Sequence, residues 1–284
     1  MKISEIATSS FRRLGHELGY EVEMFEGRLV VYAPMWRRAL SAESQFCKAL
    51  LANGYLTERQ LQRAVWQYRL GATKTGRVIF WQINEHDEIC EGKVMSYLPD
   101  CHRDKRHNPT WVGHLLSLRY GWGRLPSRHC FFGLHLLGGP PLSPPVGVGW
   151  LPSVYPPPTG SVHKNSSPPT GGDRGGLSPI AIVEAEKTAV ILSARYPQYI
   201  WLAAGGLGEV QPDKFRPLRG HHIIMFPDTD PDGIAFKRWS DAANLVMRQL
   251  FWEDSPPIRV SPILEQRATS EQKQRKIDLV DFLF

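Results

Sequence analysis

The sequence is poor in cysteine and has no long apolar segment. Its four cysteines are dispersed along 284 residues without a Cys-x-x-Cys pair, so neither a zinc ribbon nor a disulfide framework is indicated. No apolar run approaches the ~20 residues that a membrane helix needs. The amino-terminal segment 1–20 carries charges throughout and lacks the apolar core of a signal peptide. We therefore expect a soluble, cytoplasmic protein with reduced thiols and no membrane partner.

Other absences limit the class of function. No Gly-x₄-Gly-Lys-Ser/Thr loop occurs, which excludes an ATPase of the P-loop type. The net charge is +6, yet residues 179–284 contain 13 Lys and Arg against 14 Asp and Glu, so the positive excess lies wholly in residues 1–178. A basic region beside an acidic one suits a polyanionic substrate. A mildly basic protein without such a partner is equally compatible with charge alone.

Residues 138–178 differ in composition from the rest of the chain. They include ten prolines, nine glycines and six serines, and such a stretch cannot bury enough apolar surface to offset its ordering entropy. We interpret it as a disordered linker between one domain at 1–137 and another at 179–284. The run Pro156-Pro157-Pro158 leaves open a docking site for a partner that recognises extended proline segments.

The sequence pattern of the first domain predicts a small α+β unit. Apolar residues at helical spacing over 41–70 predict two helices, broken at Asn53-Gly54, and Thr57 with Gln60 forms a capping box that starts the second helix. Two β-rich segments separated by a polar turn predict a hairpin. The hairpin strands are expected at 77–83 and 93–97, followed by a short strand or helix at 111–118.

After the linker the pattern becomes α/β. Strands alternate with helices, which implies a parallel sheet with helices packed on its faces. In such sheets ligands bind beyond the carboxyl ends of the strands. Strands are predicted at 180–183, 199–203, 222–226 and 257–263, and helices at 188–195 and 233–250.

Acidic residues follow two of these strands. Glu184 comes directly after the first strand, and Asp228, Asp230 and Asp232 follow the third. If the two strands are neighbours, these carboxylates converge and repel one another unless a cation holds them, and oxygen ligands favour Mg²⁺ or Mn²⁺. Gly233 would let the chain turn tightly into the next helix. The alternative is that these acidic residues have only a structural role. Runs rich in Asp, Pro and Gly, such as 228–233, are common in turns, and acidic residues at strand ends often only cap helices.

Two ordered motifs resemble those of Toprim domains. Val183-Glu184-Ala185-Glu186-Lys187-Thr188 is similar to their glutamate motif, and Phe226-Pro227-Asp228-Thr229-Asp230-Pro231-Asp232-Gly233 is similar to their Asp-x-Asp-x-x-Gly motif. Between them, 203–206 resembles their small-residue strand end. Segments at 68–71, 80–83, 92–95, 130–137 and 277–283 resemble primase-like Toprim proteins of bacterial mobile elements. The chain departs from that pattern in lacking a zinc ribbon and in carrying the 138–178 insertion.

The resemblance implies a Rossmann-like fold for 179–284, with helices on both faces of a parallel sheet, and it implies roles for individual residues. Glu184 would be the general acid or base. Mg²⁺ or Mn²⁺ would be held by Asp228, Asp230, Asp232 and Glu184. Phosphate or the nucleic-acid backbone would be contacted by Lys187, Lys93, Arg103 and Lys105. Trp81 could stack on a base, although packing in the core is the favoured interpretation.

The function expected from the resemblance is Mg²⁺-dependent phosphoryl or nucleotidyl transfer on nucleic acid, in a DNA primase-like replication protein of a mobile element. Its partners would be DNA or RNA, nucleotides and a replicative helicase. A Toprim nuclease and a non-catalytic nucleic-acid-binding accessory protein remain as alternatives. The chain is too short for the strand-passage gate of a topoisomerase.

Overall fold

The computed structural model describes residues 22–25, 28–31, 40–120, 129–138, 178–251 and 255–284. The predicted linker at 138–178 therefore lies outside the described residues, apart from its two end positions. No helix in these described ranges is both long and apolar enough to cross a membrane.

An antiparallel sheet forms the amino-terminal part. Along the sheet, its strands follow in the order of those that begin at Val22, Arg28, Ile89, Val78 and Gly71, and a short strand that begins at Thr110 pairs with the one at Ile89. The predicted hairpin is confirmed, but its second strand begins at Ile89, four residues earlier than expected, and it includes Gly92, where a Cβ would lie 2.7 Å from the Trp81 ring. The strands are β1 Val22–Phe25, β2 Arg28–Val31, β3 Gly71–Ala72, β4 Val78–Ile83, β5 Ile89–Met95 and β6 Thr110–Trp111.

Both predicted helices of this part are confirmed. They are α1, Gln45–Ala52, and α2, Glu58–Tyr68, and the capping box of Thr57 and Gln60 is present at the start of α2. The segment predicted as strand or helix contains both, since β6 runs directly into α3, Val112–Tyr120.

The carboxy-terminal part contains a four-stranded sheet in which every pairing is parallel, as the alternation of elements predicts. The strand that begins at Ile180 lies between those that begin at Ile200 and Ile223, and the strand that begins at Arg259 lies at the edge beside the one at Ile223. The fourth strand is shorter than expected because the chain turns at Pro262 into a helix. The strands are β7 Ile180–Val183, β8 Ile200–Ala203, β9 Ile223–Phe226 and β10 Arg259–Val260. The helices are α4 Glu186–Arg195, α5 Ile234–Gln249, α6 Ile263–Arg267, α7 Ser270–Arg275 and α8 Leu279–Leu283.

The faces of the parallel sheet enter different hydrophobic clusters. Ile180 and Ile182 pack with α5, whereas Ala181 and Val183 pack with α4 and with buried residues of the amino-terminal part. Tyr68 crosses between the two parts, its Oη donating a hydrogen bond to the Trp201 carbonyl at 2.9 Å. The parts before and after the linker therefore share one hydrophobic cluster.

Candidate active site

The carboxyl edge of the parallel sheet brings two acidic residues to neighbouring strand ends. β7 and β9 pair directly, with Val183 opposite Phe226. Glu184 follows Val183, and Asp228 lies two residues beyond Phe226. The condition on which the convergence of these residues depends is therefore met: the two strands are neighbours, and both residues lie at the edge where parallel sheets bind ligands.

The pKa values of both carboxyl groups are raised by their surroundings. Burial, followed by the charges of Glu184 and Asp278, raises the pKa of Asp228 well above its usual value, although Lys187 opposes this. Burial also raises the pKa of Glu184, against the backbone N–H of Leu207 and the charge of Lys93. Neither residue forms an ion pair with a described residue. The site thus holds two carboxyl groups whose ionised forms are disfavoured by burial.

A lysine from the antiparallel sheet reaches this edge. Lys93 of β5 places its Nζ 3.0 Å and 3.2 Å from the two carboxylate oxygens of Glu186 and 2.7 Å from the Gly205 carbonyl oxygen. The Lys93 and Glu186 side chains are only 10% and 2% exposed. Gly205 has φ +94°, which favours glycine. Lys93, predicted to contact nucleic acid, thus forms a buried ion pair that links the antiparallel sheet to the first turn of α4.

Replacing Lys93 by methionine is expected to destabilise the protein by about 3–5 kcal/mol, because it leaves the Glu186 carboxylate buried without its cation. The double variant Lys93→Met/Glu186→Leu should recover most of that loss. Urea unfolding of the three proteins measures it. An undiminished free energy of unfolding in the single variant would contradict the assigned pair.

A second lysine holds the carboxy-terminal segment. Lys187 Nζ lies 3.3 Å from Asp278 Oδ2 and 3.7 Å from Asp281 Oδ1, while Thr188 Oγ1 donates to Asp278 Oδ2 at 2.6 Å. Burial lowers the pKa of Lys187, but Asp278 and Asp281 outweigh it and the net shift is upward. Lys187, predicted to contact phosphate, is therefore paired with carboxylates of the terminal helix.

Asp230 and Asp232, the other acidic residues of the Asp-x-Asp-x-x-Gly motif, have different surroundings from Asp228. Asp230 accepts backbone N–H groups at both carboxylate oxygens, from Asp232 at 3.0 Å, Ile234 at 3.1 Å and Ala235 at 2.7 Å. Burial raises the pKa of Asp230, but these donors outweigh it and the net shift is downward. The Asp230 side chain thus caps the start of α5, which begins directly after Gly233 with φ +66°. Asp232 is exposed.

The basic loop expected to contact nucleic acid lies at the surface. Arg103 and Lys105 are exposed, and Arg103 is close enough to Tyr97 to oppose the rise in that residue's pKa. Arg106 is occupied by an ion pair with Asp104 at 2.9 Å. Trp81 is 1% exposed, in agreement with core packing rather than base stacking.

Glu184 and Asp228 are the two residues at this edge that could bind a divalent ion. Within the described residues, no group of three or more His, Cys, Asp or Glu side chains is arranged to hold a metal ion. Mg²⁺ often binds through one or two carboxylates and completes its shell with water and substrate phosphate. Two adjacent, ion-pair-free carboxyl groups are compatible with that mode, whereas Asp230 already uses both oxygens in its cap.

The fold and site define an α/β protein with paired carboxyl groups at the edge of a parallel sheet. A family model described as a domain of unknown function, DUF6371, matches residues 44–147 and 174–229. The match covers more than half of the chain, so the protein belongs to this family. It includes Lys93, Glu184 and Asp228 and ends before Asp230. No curated protein matches the sequence.

Sequence reasoning gave no role to three acidic residues at the site, namely Glu186, Asp278 and Asp281. Glu186 stands inside the glutamate motif, and its spacing of two from Glu184 was the available signal. Asp278 and Asp281 lie far along the chain from Asp228. Their pattern indicates only the start of a helix, which Asp278 caps by accepting the Asp281 N–H at 2.8 Å.

Proposed function

We propose that this protein is a Mg²⁺-dependent enzyme that transfers phosphoryl or nucleotidyl groups on nucleic acid, in the manner of a DNA primase. The observation that carries the proposal is the pair Glu184 and Asp228 at adjacent strand ends, with the pKa of both raised. Raised carboxyl pKa values at a sheet edge suit a site that receives a cation with phosphate oxygens. The similarity of both motifs to those of Toprim domains supports the same chemistry.

The two carboxyl groups would have distinct tasks. Asp228 would ligate the ion, which when bound neutralises charge on phosphate oxygens. Glu184, with its pKa raised by burial, would hold or release a proton at the attacking or leaving oxygen. The backbone N–H of Leu207 fixes the Glu184 carboxylate, and the Lys93–Glu186 pair holds the adjacent Gly205 loop.

The exposed cations Arg103 and Lys105 would contact the nucleic-acid backbone. Changing both to alanine is expected to weaken single-stranded DNA binding and to reduce the slope of log affinity against log salt by roughly 1–2, because up to two phosphate contacts are lost. Fluorescence anisotropy at several salt concentrations measures this. Arg248→Ala/Arg267→Ala, which removes two cations elsewhere, serves as the charge-matched control. An unchanged slope would show that Arg103 and Lys105 do not contact the nucleic-acid backbone.

The function itself is tested by incubating purified protein with labelled NTPs, a single-stranded template and Mg²⁺, with EDTA as control. Mg²⁺-dependent synthesis of short oligonucleotides would support the proposal. Parallel incubation with a labelled oligonucleotide detects cleavage, which would favour a nuclease. Nucleic-acid binding with neither reaction would identify a non-catalytic binding protein.

A further inference from the structure

Arg238 differs from four lysines around the acidic site in having no carboxylate partner. It is exposed, and among the described residues it takes part in no ion pair or hydrogen bond. The four lysines are each paired with a carboxylate, namely Lys93 with Glu186, Lys187 with Asp278, Lys214 with Glu209 and Lys237 with Asp241. The positive charge of Arg238 is therefore not neutralised within the described part of the protein.

The guanidinium group of Arg238 lies against the loop that follows β8. A Cβ placed on Gly208 would lie 3.3 Å from Arg238 Nη2 and 3.8 Å from its Cζ, so glycine at this position leaves room for the guanidinium group. Arg238 itself belongs to α5, the helix that follows β9. Because β7 lies between β8 and β9, this contact joins the elements on either side of the strand that Glu184 follows.

The loop beside Arg238 is held in place at its start. Lys214 Nζ donates to the Ala204 carbonyl oxygen at 3.3 Å, and the Gly205 N–H donates to the Glu184 carbonyl at 2.9 Å. These bonds tie the loop to the residue that follows β7. The exposed guanidinium group is therefore placed at the same carboxyl edge of the sheet as the paired carboxyl groups.

We propose that Arg238 is a substrate-binding residue that contacts a phosphate group beside Glu184 and Asp228. The inference rests on the proposed function, because it names the group of the substrate that the same site receives. A planar guanidinium group donates two parallel hydrogen bonds to a phosphate, and here its charge is not already neutralised by a carboxylate. The phosphate belongs either to the triphosphate of a nucleotide or to the nucleic-acid backbone, and binding measurements distinguish these two sources.

The alternative role for Arg238 is that of a surface cation that only adds to the overall positive charge. Arg248, an exposed arginine in the last turn of the same helix, separates the two roles. Arg248→Ala makes the same change of charge at the other end of α5. Arg238→Lys is the conservative variant, since lysine keeps the charge but lacks the planar fork of donors.

The test is the binding of three probes to the full chain in Mg²⁺: ATP and inorganic triphosphate by calorimetry, and a single-stranded oligonucleotide by fluorescence anisotropy. Arg238→Ala should weaken binding of the probe that supplies the phosphate by roughly tenfold or more, as expected when hydrogen bonds to a charged group are lost. Arg238→Lys should bind that probe with intermediate affinity, and Arg248→Ala should bind it as the wild type does. Because Arg238 is exposed, the Tm of all three variants should equal that of the wild type.

Each outcome has a defined meaning. A loss shared by ATP and inorganic triphosphate supports the inference and assigns the phosphate to a nucleotide, whereas a loss confined to the oligonucleotide supports it and assigns the phosphate to the nucleic-acid backbone. Unchanged affinity for triphosphate and oligonucleotide in Arg238→Ala, or an equal loss in Arg248→Ala, overturns the inference, as does a wild type that binds none of the probes. A wild type that binds a probe through Arg238 but shows neither synthesis nor cleavage would keep this inference and overturn the proposed catalysis.

Discussion

Glu184→Gln is expected to lower nucleotide incorporation by about 10²–10⁴-fold, the usual effect of losing a general acid or base. Glutamine keeps the size of the side chain and retains a carbonyl oxygen for the Leu207 N–H, so the local backbone should not move. It lacks the titratable carboxyl group of glutamate, whose pKa is raised here by burial, so it cannot exchange a proton with the substrate. Steady-state incorporation of labelled nucleotide measures the change.

Measurements of DNA binding separate a role of Glu184 in catalysis from a role in binding the substrate. The variant should bind single-stranded DNA as the wild type does, because the exposed cations at Arg103 and Lys105 are untouched. Glu58→Gln, which alters an exposed glutamate in the first turn of α2, should retain wild-type turnover. Full turnover in Glu184→Gln would remove this residue from the chemistry and would favour a non-catalytic binding protein.

Most of the fold could be predicted from the sequence, because the signals for its helices and strands lie within short stretches of the chain. The capping box at Thr57, the hairpin around 84–88 and the alternation of strands and helices after residue 179 each depend on short stretches of sequence. The early start of β5 was not predicted because Glu91 and Gly92 have low strand propensity. Strand pairing with Trp81 fixes that segment, and this is a contact that no local pattern contains.

The candidate site could be predicted only in part, for a similar reason. The strand ends that carry Glu184 and Asp228 follow from periodicity and from parallel topology. The motif spacing does not reveal that Asp230 points into the start of α5, nor that Lys93 is buried against Glu186. Both facts depend on how distant elements pack. A lysine in a β-rich segment has the same appearance in sequence whether it faces solvent or a buried carboxylate.

The shared cluster explains why Lys93 could not be interpreted from its own neighbourhood. Its partner Glu186 lies 93 positions further along the chain, beyond the Pro- and Gly-rich segment. The pairing exists because Tyr68, Phe80 and Phe132 pack in the same cluster as β7 and α4. The amino-terminal part therefore contributes directly to the electrostatics of the acidic site, in addition to any role in binding nucleic acid.

Asp228→Asn is expected to raise the stability of the ion-free protein and to abolish its response to divalent ions. In the wild type, Mg²⁺ at a hundredfold excess over its Kd should add about 2.7 kcal/mol, which is on the order of 5–10 °C in Tm for a chain of this size. The variant has no anionic ligand at this position, so its Tm should be the same in EDTA and in Mg²⁺.

The pH dependence of stability supplies a second measurement with a defined sign. Because the pKa of Asp228 is raised above its ordinary 3.8 in the folded state, the native protein holds a proton that the unfolded chain has lost. Stability in EDTA should therefore fall as pH rises from about 4 through the raised pKa. Asp228→Asn removes this contribution, and its stability should decline less steeply over that range.

The exposed Asp213, paired with Arg216 at the surface, provides the control for Asp228→Asn. Asp213→Asn removes a carboxylate of the same kind away from the sheet edge, so it should keep the wild-type responses to Mg²⁺ and to pH above 5. Thermal unfolding of the three proteins in EDTA and in Mg²⁺, at several pH values, separates the cases. If the wild type and Asp228→Asn have the same ion response, Asp228 is not a ligand, and the cation assigned to this sheet edge must be abandoned.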